Sequence, residues 1–255
     1  MRTAVLLGLL LAVPVLAQTS LADSKSVPPL DRPPIPEARP VTPEMRADIH
    51  MARKEYREAI DIYKTLKPTN AVILNKTGIA YHQLTELANA RKHYEQAVRL
   101  QPQYAEAINN IGTVYYAVKN YRRAISQYNK ALKITPNSAS IYSNLGTAWF
   151  ARKNYNRAFE SYQKALELDA EVFEHRSTHG VLLQERSVEE RAKFHFYLAK
   201  TYAKAGVVDR ALLYMRKALE EGFKERQKFV EDPEFAALQT LAEFQDLMKL
   251  QPKVL

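Results

Sequence analysis

The 255 residues contain no cysteine, which excludes disulfides, thiolate catalysis, cysteine-ligated zinc, iron–sulfur clusters and a lipidated cysteine anchor. Glycine is scarce as well. Seven glycines are too few for a turn-rich β fold or for a system of glycine-rich loops cradling phosphates. Neither a phosphate-binding loop nor a nucleophile elbow can be read, and no spacing of Asp and Glu pairs two carboxylates for acid–base work. No catalytic residue and no cofactor are therefore expected, and a non-enzymatic role follows.

Charge is missing from one place in particular. Arg2 is the single charged residue before Asp23, and Ala4 to Leu16 is almost wholly apolar, ending in Val15-Leu16-Ala17. A basic start, a short apolar run and small residues at its exit form a secretory signal. Residues 1–17 are assigned to it, which predicts a periplasmic or secreted protein. The uncharged run from Thr3 to Ala22 keeps an uncleaved anchor open as the alternative, although Pro14 would interrupt a continuous spanning helix.

Residues 18–42 form a linker. Seven prolines fall between Val27 and Pro43, and because proline lacks an amide donor and fixes φ, this stretch is predicted to be extended. It is read as a spacer, with docking to an aromatic groove as the other reading. Thr42-Pro43-Glu44 then opens a helix, with an N-cap hydroxyl, a first-turn proline and an acid at the positive end of the dipole.

What the chain does have is a repeat of 34 residues. Gly78, Gly112 and Gly146 are one period apart, as are Tyr81, Tyr115 and Trp149. The same step relates Ala90, Ala124 and Ala158, then Tyr94, Tyr128 and Tyr162, then Ala97, Ala131 and Ala165. Pro102 and Pro136 close two of the units, and Ala170 stands where a third proline would fall. Spacings of three and four place each set on one helix face, and a closing proline pushes its predecessor out of the α region. The glycine is expected to admit a neighbouring helix while the aromatic three residues later fills the adjacent gap. Each unit is thus two antiparallel helices that bury a core only by stacking on the next pair.

This pattern resembles the tetratricopeptide repeat family. The resemblance implies an all-α, right-handed superhelical array of antiparallel helix pairs, about five units, with short C-terminal capping helices. Units 1–4 are placed at 43–170, an insertion at 171–187, unit 5 at 188–222 and the capping helices at 223–255. The first unit is recognised from Lys54-Glu55-Tyr56-Arg57-Glu58-Ala59 and Tyr63, although its Pro68 comes three residues early and it lacks the glycine. In the fifth unit Ala199 replaces the glycine, and Ser187-Val188-Glu189-Glu190 resembles a capping box.

By the same resemblance, a protein or peptide partner is bound in the concave groove lined by the first helix of each pair. The groove positions fall on Asn75, Ile79 and His82, on Asn109, Asn110, Thr113 and Tyr116, on Ser143, Asn144, Thr147 and Phe150, and on Phe196, Lys200 and Ala203. Asn110 and Asn144 lie one period apart, and an amide side chain offers both a donor and an acceptor. They are similar to the asparagine ladder in the repeat region of the O-linked N-acetylglucosamine transferase family, which holds a peptide backbone. The clamp of another subclass, which grips chaperone C-termini, wants a lysine followed four residues later by asparagine. Asn75 with Ile79, Asn109 with Thr113 and Ser143 with Thr147 stand there instead.

The formal charge is +9, and it is uneven, with 12 basic and 3 acidic residues between Arg91 and Ala165. Arg122, Arg123, Lys130, Lys133, Arg152, Lys153 and Arg157 fall mostly on second helices, hence on the convex back. That back is either a solvated face or a surface for anionic envelope polymers or headgroups. No zinc finger or other nucleic-acid-binding signature is present, so nucleic acid is not an expected partner. His175 and His179 are four apart but lack the glutamate of the zinc-protease helix, and no metal site is assigned to them. The reading is therefore a protein-interaction scaffold outside the cytoplasmic membrane. The alternative is an assembly subunit or membrane-tethered spacer that associates with itself.

Overall fold

The computed structural model describes residues 40–67, 69–174 and 187–251. The signal segment, most of the proline-rich linker, Pro68, and the part of the insertion carrying His175 and His179 lie outside the described residues, as do 252–255. Every regular element among the described residues is helical.

Five helix pairs follow one another: α1 (Pro43–Ala52) with α2 (Tyr56–Thr65), α3 (Ala71–Gln83) with α4 (Leu87–Leu100), α5 (Ala105–Ala117) with α6 (Tyr121–Ile134), α7 (Ala139–Ala151) with α8 (Tyr155–Leu168), and α9 (Val188–Lys204) with α10 (Val208–Glu220). Several starts are fixed by side-chain caps. Thr42 accepts from the Met45 amide at 3.1 Å, Asn70 from Val72 at 2.8 Å, Asn120 from Arg123 at 3.3 Å, and Ser187 from Glu190 at 3.2 Å. α4 and α6 stop two residues short of Pro102 and Pro136. The early Pro68 has a simple counterpart, since α2 is 10 residues long where α4 is 14.

The turn inside each pair is the same. Lys54, Thr85, Lys119, Lys153 and Gly206 all take a positive φ, between 60° and 74°. At Lys119 the amide bonds to the Tyr116 carbonyl and the Asn120 amide reaches back to Tyr115, both at 2.8 Å. That is the Schellman closure, which satisfies two of the last carbonyls of the first helix. Four of the five turns force a side chain into the left-handed region, and one uses glycine.

The glycines admit a neighbouring helix, as expected, and the structure shows which ring occupies the space. A methyl built on Gly78, Gly112 or Gly146 would come within 2.5 Å of Tyr94, Tyr128 or Tyr162 respectively, the tyrosine on the partner helix of the same pair. The ring on the glycine is therefore this tyrosine, not the aromatic three residues further along. Tyr115 and Trp149 from that second set are only partly buried, and Trp149 is not a core side chain. Their faces carry cations: Arg91 and Arg123 stand 5.9 Å and 5.6 Å from the Tyr115 centroid, Arg152 and Arg157 5.7 Å and 4.6 Å from that of Trp149. The fifth pair changes both partners together, with Ala199 and Met215 fully buried at the positions of the glycine and the tyrosine.

Each second helix packs on the first helix of the next pair, and first helices also touch one another, α3 with α5 and α5 with α7. The first helices therefore share one face of the array. Beyond α10, a helical turn α11 (Lys228–Glu231), a 3-10 helix (Pro233–Leu238) and α12 (Ala242–Met248) cover the end of the last pair. The 3-10 helix rests on α9 and α12 on α10. Phe196 stacks on Phe223 at 4.5 Å and meets Phe229 edge-on at 5.1 Å, and all three rings are buried. Apolar side chains that a sixth pair would have covered are buried by this tail instead.

Candidate functional site

The shared face of the first helices carries the positions picked out in the sequence, and it changes character along the array. The middle zone is a polar chain. Asn110 Nδ2 donates to Asn75 Oδ1 at 3.0 Å, and Asn144 Nδ2 donates to Asn109 Oδ1 at 3.1 Å. Asn109 Nδ2 reaches Asn110 Oδ1 at 3.4 Å, and Asn75 Nδ2 donates to Glu106 Oε1 at 2.9 Å. All four asparagines are at most 4% exposed. Apart from the Asn109–Asn110 contact within α5, these bonds cross between neighbouring pairs, so the chain ties α3, α5 and α7 together at one level. Buried amides left without partners would cost stability, and here they satisfy each other.

At the N-terminal end Lys76 takes the place of the next asparagine. Its Nζ lies 2.9 Å from Glu44 Oε1 and 2.7 Å from Asp48 Oδ2 on α1. Burial works to lower its pKa, but the bonds to Asp48 and Glu44 outweigh that and raise it. Asp48 also accepts from the hydroxyl of Tyr63.

The surface of the middle zone is left to Ile79, His82, Tyr116 and Ser143, which are half-buried, while Thr113 and Thr147 turn their hydroxyls to the Asn110 and Ser143 carbonyls. Burial holds His82 below the usual histidine pKa, so it is neutral at pH 7. Beneath this surface lie Tyr94 and Tyr128, whose phenols burial pushes well above their ordinary value. Among the described residues the Tyr128 hydroxyl has no hydrogen-bond partner.

Towards α9 the face becomes aromatic. Phe150 meets Tyr155 at 5.2 Å and Tyr197 at 6.1 Å, and Tyr155 stacks on Tyr197 at 5.1 Å. Burial, with Glu225 and Tyr155 nearby, pushes the Tyr197 phenol up to about 12. Lys193 lies 4.9 Å above the Tyr155 ring. Further back, Tyr116 and Tyr121 form a similar contact at 5.2 Å. Tyr121, Tyr155 and Tyr197 were not singled out from the sequence. The first two are one period apart directly after a turn, which is a readable signal, and Tyr197 stands in α9 where Asn110 and Asn144 stand in α5 and α7, but its stacking on Tyr155 shows only in the contacts between helices.

The last zone is taken by the chain itself. Phe196 lies under the C-terminal aromatics. Lys200 binds Asp232 at 2.8 Å and Glu234 at 3.2 Å, and Ala203 is half-buried beside them on α9. The face open to another molecule therefore runs from α3 to α7 and ends at the Tyr155–Tyr197 stack.

Family models described as TPR repeat match residues 80–119 and 112–152, and one described as Tetratricopeptide repeat matches 139–171. The chain carries tetratricopeptide repeats over residues 80–171. Such arrays are in general non-enzymatic scaffolds for protein interaction. None of the curated proteins gives a significant match to the sequence. Among solved structures, the array is similar to MamA 41-end from Desulfovibrio magneticus RS-1, at 21% identity over 69% of this chain and 90% of that one, with a TM-score of 0.48. It is also similar to the Sgt2 TPR domain from Aspergillus fumigatus, at 27% identity over 45% and 80%, with a TM-score of 0.42. A third similar structure is the first TPR of Spaghetti (RPAP3) bound to an HSP90 peptide, at 22% identity over 45% and 87%, with a TM-score of 0.40.

Among the described residues, no three His, Cys, Asp or Glu side chains gather as a metal site, and no helix is long and apolar enough to cross a membrane. The basic side chains of the second helices, Arg122, Arg123, Lys130, Lys133 and Arg157, are exposed on the tetratricopeptide array, as are Arg152 and Lys153 in the turn before α8.

Proposed function

We propose that this tetratricopeptide protein is a non-catalytic adaptor that holds a segment of another polypeptide on the face shared by α3, α5 and α7, and that it works in the envelope of a bacterial cell, outside the cytoplasmic membrane. The observation that carries the first part is the coincidence of roles on that face. Its floor is a rigid, internally bonded asparagine chain, while half-buried Ile79, His82, Tyr116 and Ser143 stand above it as the contact surface. Half-buried aromatic and apolar groups on a rigid support are what an extended peptide is gripped by, since ordering costs fall on the ligand alone. Within this reading the asparagines orient the helices, and the gripping is done by the residues above them. The envelope setting is supported by the apolar N-terminal run with its small-residue exit.

The test uses the full chain against envelope extract. Wild-type protein and an Ile79→Trp/Ser143→Trp variant, which fills the face, are compared for the polypeptides they retain. A polypeptide held by the wild type and lost by the variant is the expected result. Equal retention by both, or none by either after crosslinking, would overturn the adaptor reading. Fractionation of the producing cells, with mass measurement of the processed N-terminus, tests the setting separately. Protein recovered only from the cytoplasm with residues 1–17 intact would refute it.

A further inference from the structure

We infer that the edge of the array between the α5–α6 and α7–α8 turns is a second contact surface, built for an acidic segment of the partner polypeptide. It rests on the reading that the partner is a polypeptide and adds the chemistry of one stretch of it. An open depression of about 530 Å³ lies there, lined by Val118, Lys119, Asn120, Tyr121, Arg122 and Arg152. Three of the six are cations and none is a carboxylate. Among the described residues neither Lys119 nor Arg122 nor Arg152 has a carboxylate partner, and the Arg152 guanidinium lies over the face of Trp149. Elsewhere the array pairs its cations repeatedly, as at Lys76, Lys193, Lys200 and Arg210.

The repeat itself shows that this cluster is not required by the fold. At the preceding step the equivalent positions are Leu84, Thr85, Glu86, Leu87, Ala88 and Val118, with no cation, and Glu86 faces Arg57 at 3.9 Å. At the step towards α9, Ala205 stands opposite the turn where Arg152 would be required. The step from the α5–α6 turn to the α7–α8 turn joins cations from two consecutive pairs around an opening. Cations left mutually repelling without a counter-charge lower their energy when carboxylates enter, and the low-dielectric wall provided by Val118 and Tyr121 strengthens that attraction. Tyr121 also touches Tyr116 on the first-helix face, so a chain lying along that face passes directly over this edge. An acidic run with an apolar or aromatic residue beside it fits both parts: carboxylates for Lys119, Arg122 and Arg152, and the apolar group for exposed Val118.

The experiment measures fluorescence anisotropy of a labelled ten-residue glutamate peptide with the full chain. A ten-residue glutamine peptide serves as the neutral control, and vesicles of phosphatidylcholine with phosphatidylglycerol as the lipid arm. Two exposed double variants are compared, Arg122→Glu/Arg152→Glu at the depression and Lys130→Glu/Lys133→Glu further along α6. Binding of the glutamate peptide but not the glutamine peptide is expected. It should weaken by about tenfold or more in the first variant and by less than about twofold in the second. An Arg122→Gln/Arg152→Gln variant should give an intermediate loss if the first variant misfolds by circular dichroism. Equal weakening by both double variants would show diffuse charge and overturn the site, as would no saturable binding of the glutamate peptide. Vesicle binding that the first variant abolishes, without peptide binding, would assign the surface to lipid headgroups instead. Ile79 and Ser143 do not line this depression, so the face-filling variant separates failure here from failure of the adaptor reading.

Discussion

The ring of Tyr128 lies where a side chain on Gly112 would have to be, with its Cε1 2.5 Å from the position of a Cβ. The same relation recurs at Gly78 with Tyr94 and Gly146 with Tyr162, so the closeness of the two helices in each central pair is set by one missing methyl group. A Gly112→Ala substitution is therefore expected to lower stability by about 1–3 kcal/mol, through a forced shift of a fully buried ring. Urea unfolding followed by circular dichroism measures it. Adding Tyr128→Met should recover part of the loss, because the fifth pair already combines Ala199 with Met215.

Asn110 is bonded to Asn75 rather than held free for a ligand, and its removal should be felt first in folding. Asn110→Ala leaves the Asn75 carbonyl and the Asn109 amide without their partners at 3.0 Å and 3.4 Å. A loss of about 1–3 kcal/mol is expected from urea unfolding. A change below about 0.5 kcal/mol would show that the chain of amides contributes little to the stacking.

Lys153 takes a φ of 60° in the turn between α7 and α8, a region that costs an L residue about 1–2 kcal/mol. Lys153→Gly should raise stability by about 0.5–1 kcal/mol, the gain being cut by the greater freedom of glycine in the unfolded chain. The reverse change, Gly206→Ala, meets no atom within 4 Å, so the loss of about 1 kcal/mol expected there reports backbone strain alone. Paired thermal melts of the two variants test both signs.

Acidification should weaken the fold. Burial holds His82 below the usual histidine value, and burial does the same at His195, although Glu221 beside it pulls the other way and Lys217 and Arg191 add to the lowering. Below about pH 6.5 the unfolded chain then binds protons that the folded chain refuses. The stability contributed by these rings is therefore full above that pH and is lost as the pH falls beneath it. Unfolding midpoints measured between pH 8 and pH 5 should drop, and the drop should shrink in His82→Gln/His195→Gln. An unchanged profile in that variant would place the titrating groups elsewhere.

Much of this architecture was legible in the sequence, because the period repeats a physical requirement. Small residues at 90, 124 and 158 and tyrosines at 94, 128 and 162 each solve the same packing problem three times, and closing prolines at 102 and 136 end two of the units. What the period could not disclose is which aromatic meets which glycine, since two aromatics sit in every unit and the choice depends on how the pair crosses. The candidate positions all fall on first helices, where the period places them, but which of them bond to each other and which stay open does not show in the sequence. Asn75, Asn109, Asn110 and Asn144 bond across a spacing of 35, one residue off the period, so a register argument linking Asn110 to Asn144 misses the pairs that form. Lys200 and Phe196 match the pattern as well, yet Asp232 and Phe223 from beyond the repeats meet them. A tail outside the period leaves no trace in it.

The most direct measurement places a photo-crosslinking benzoylphenylalanine at one position at a time in the full chain, in its native cells. Positions His82 and Ser143 lie on the first-helix face, and Lys130 lies on the exposed outside of α6. Crosslinks to the same polypeptide from His82 and Ser143, with none from Lys130, are the expected result. Crosslinks from Lys130 alone, with the first-helix face silent, would contradict the placing of the partner on that face.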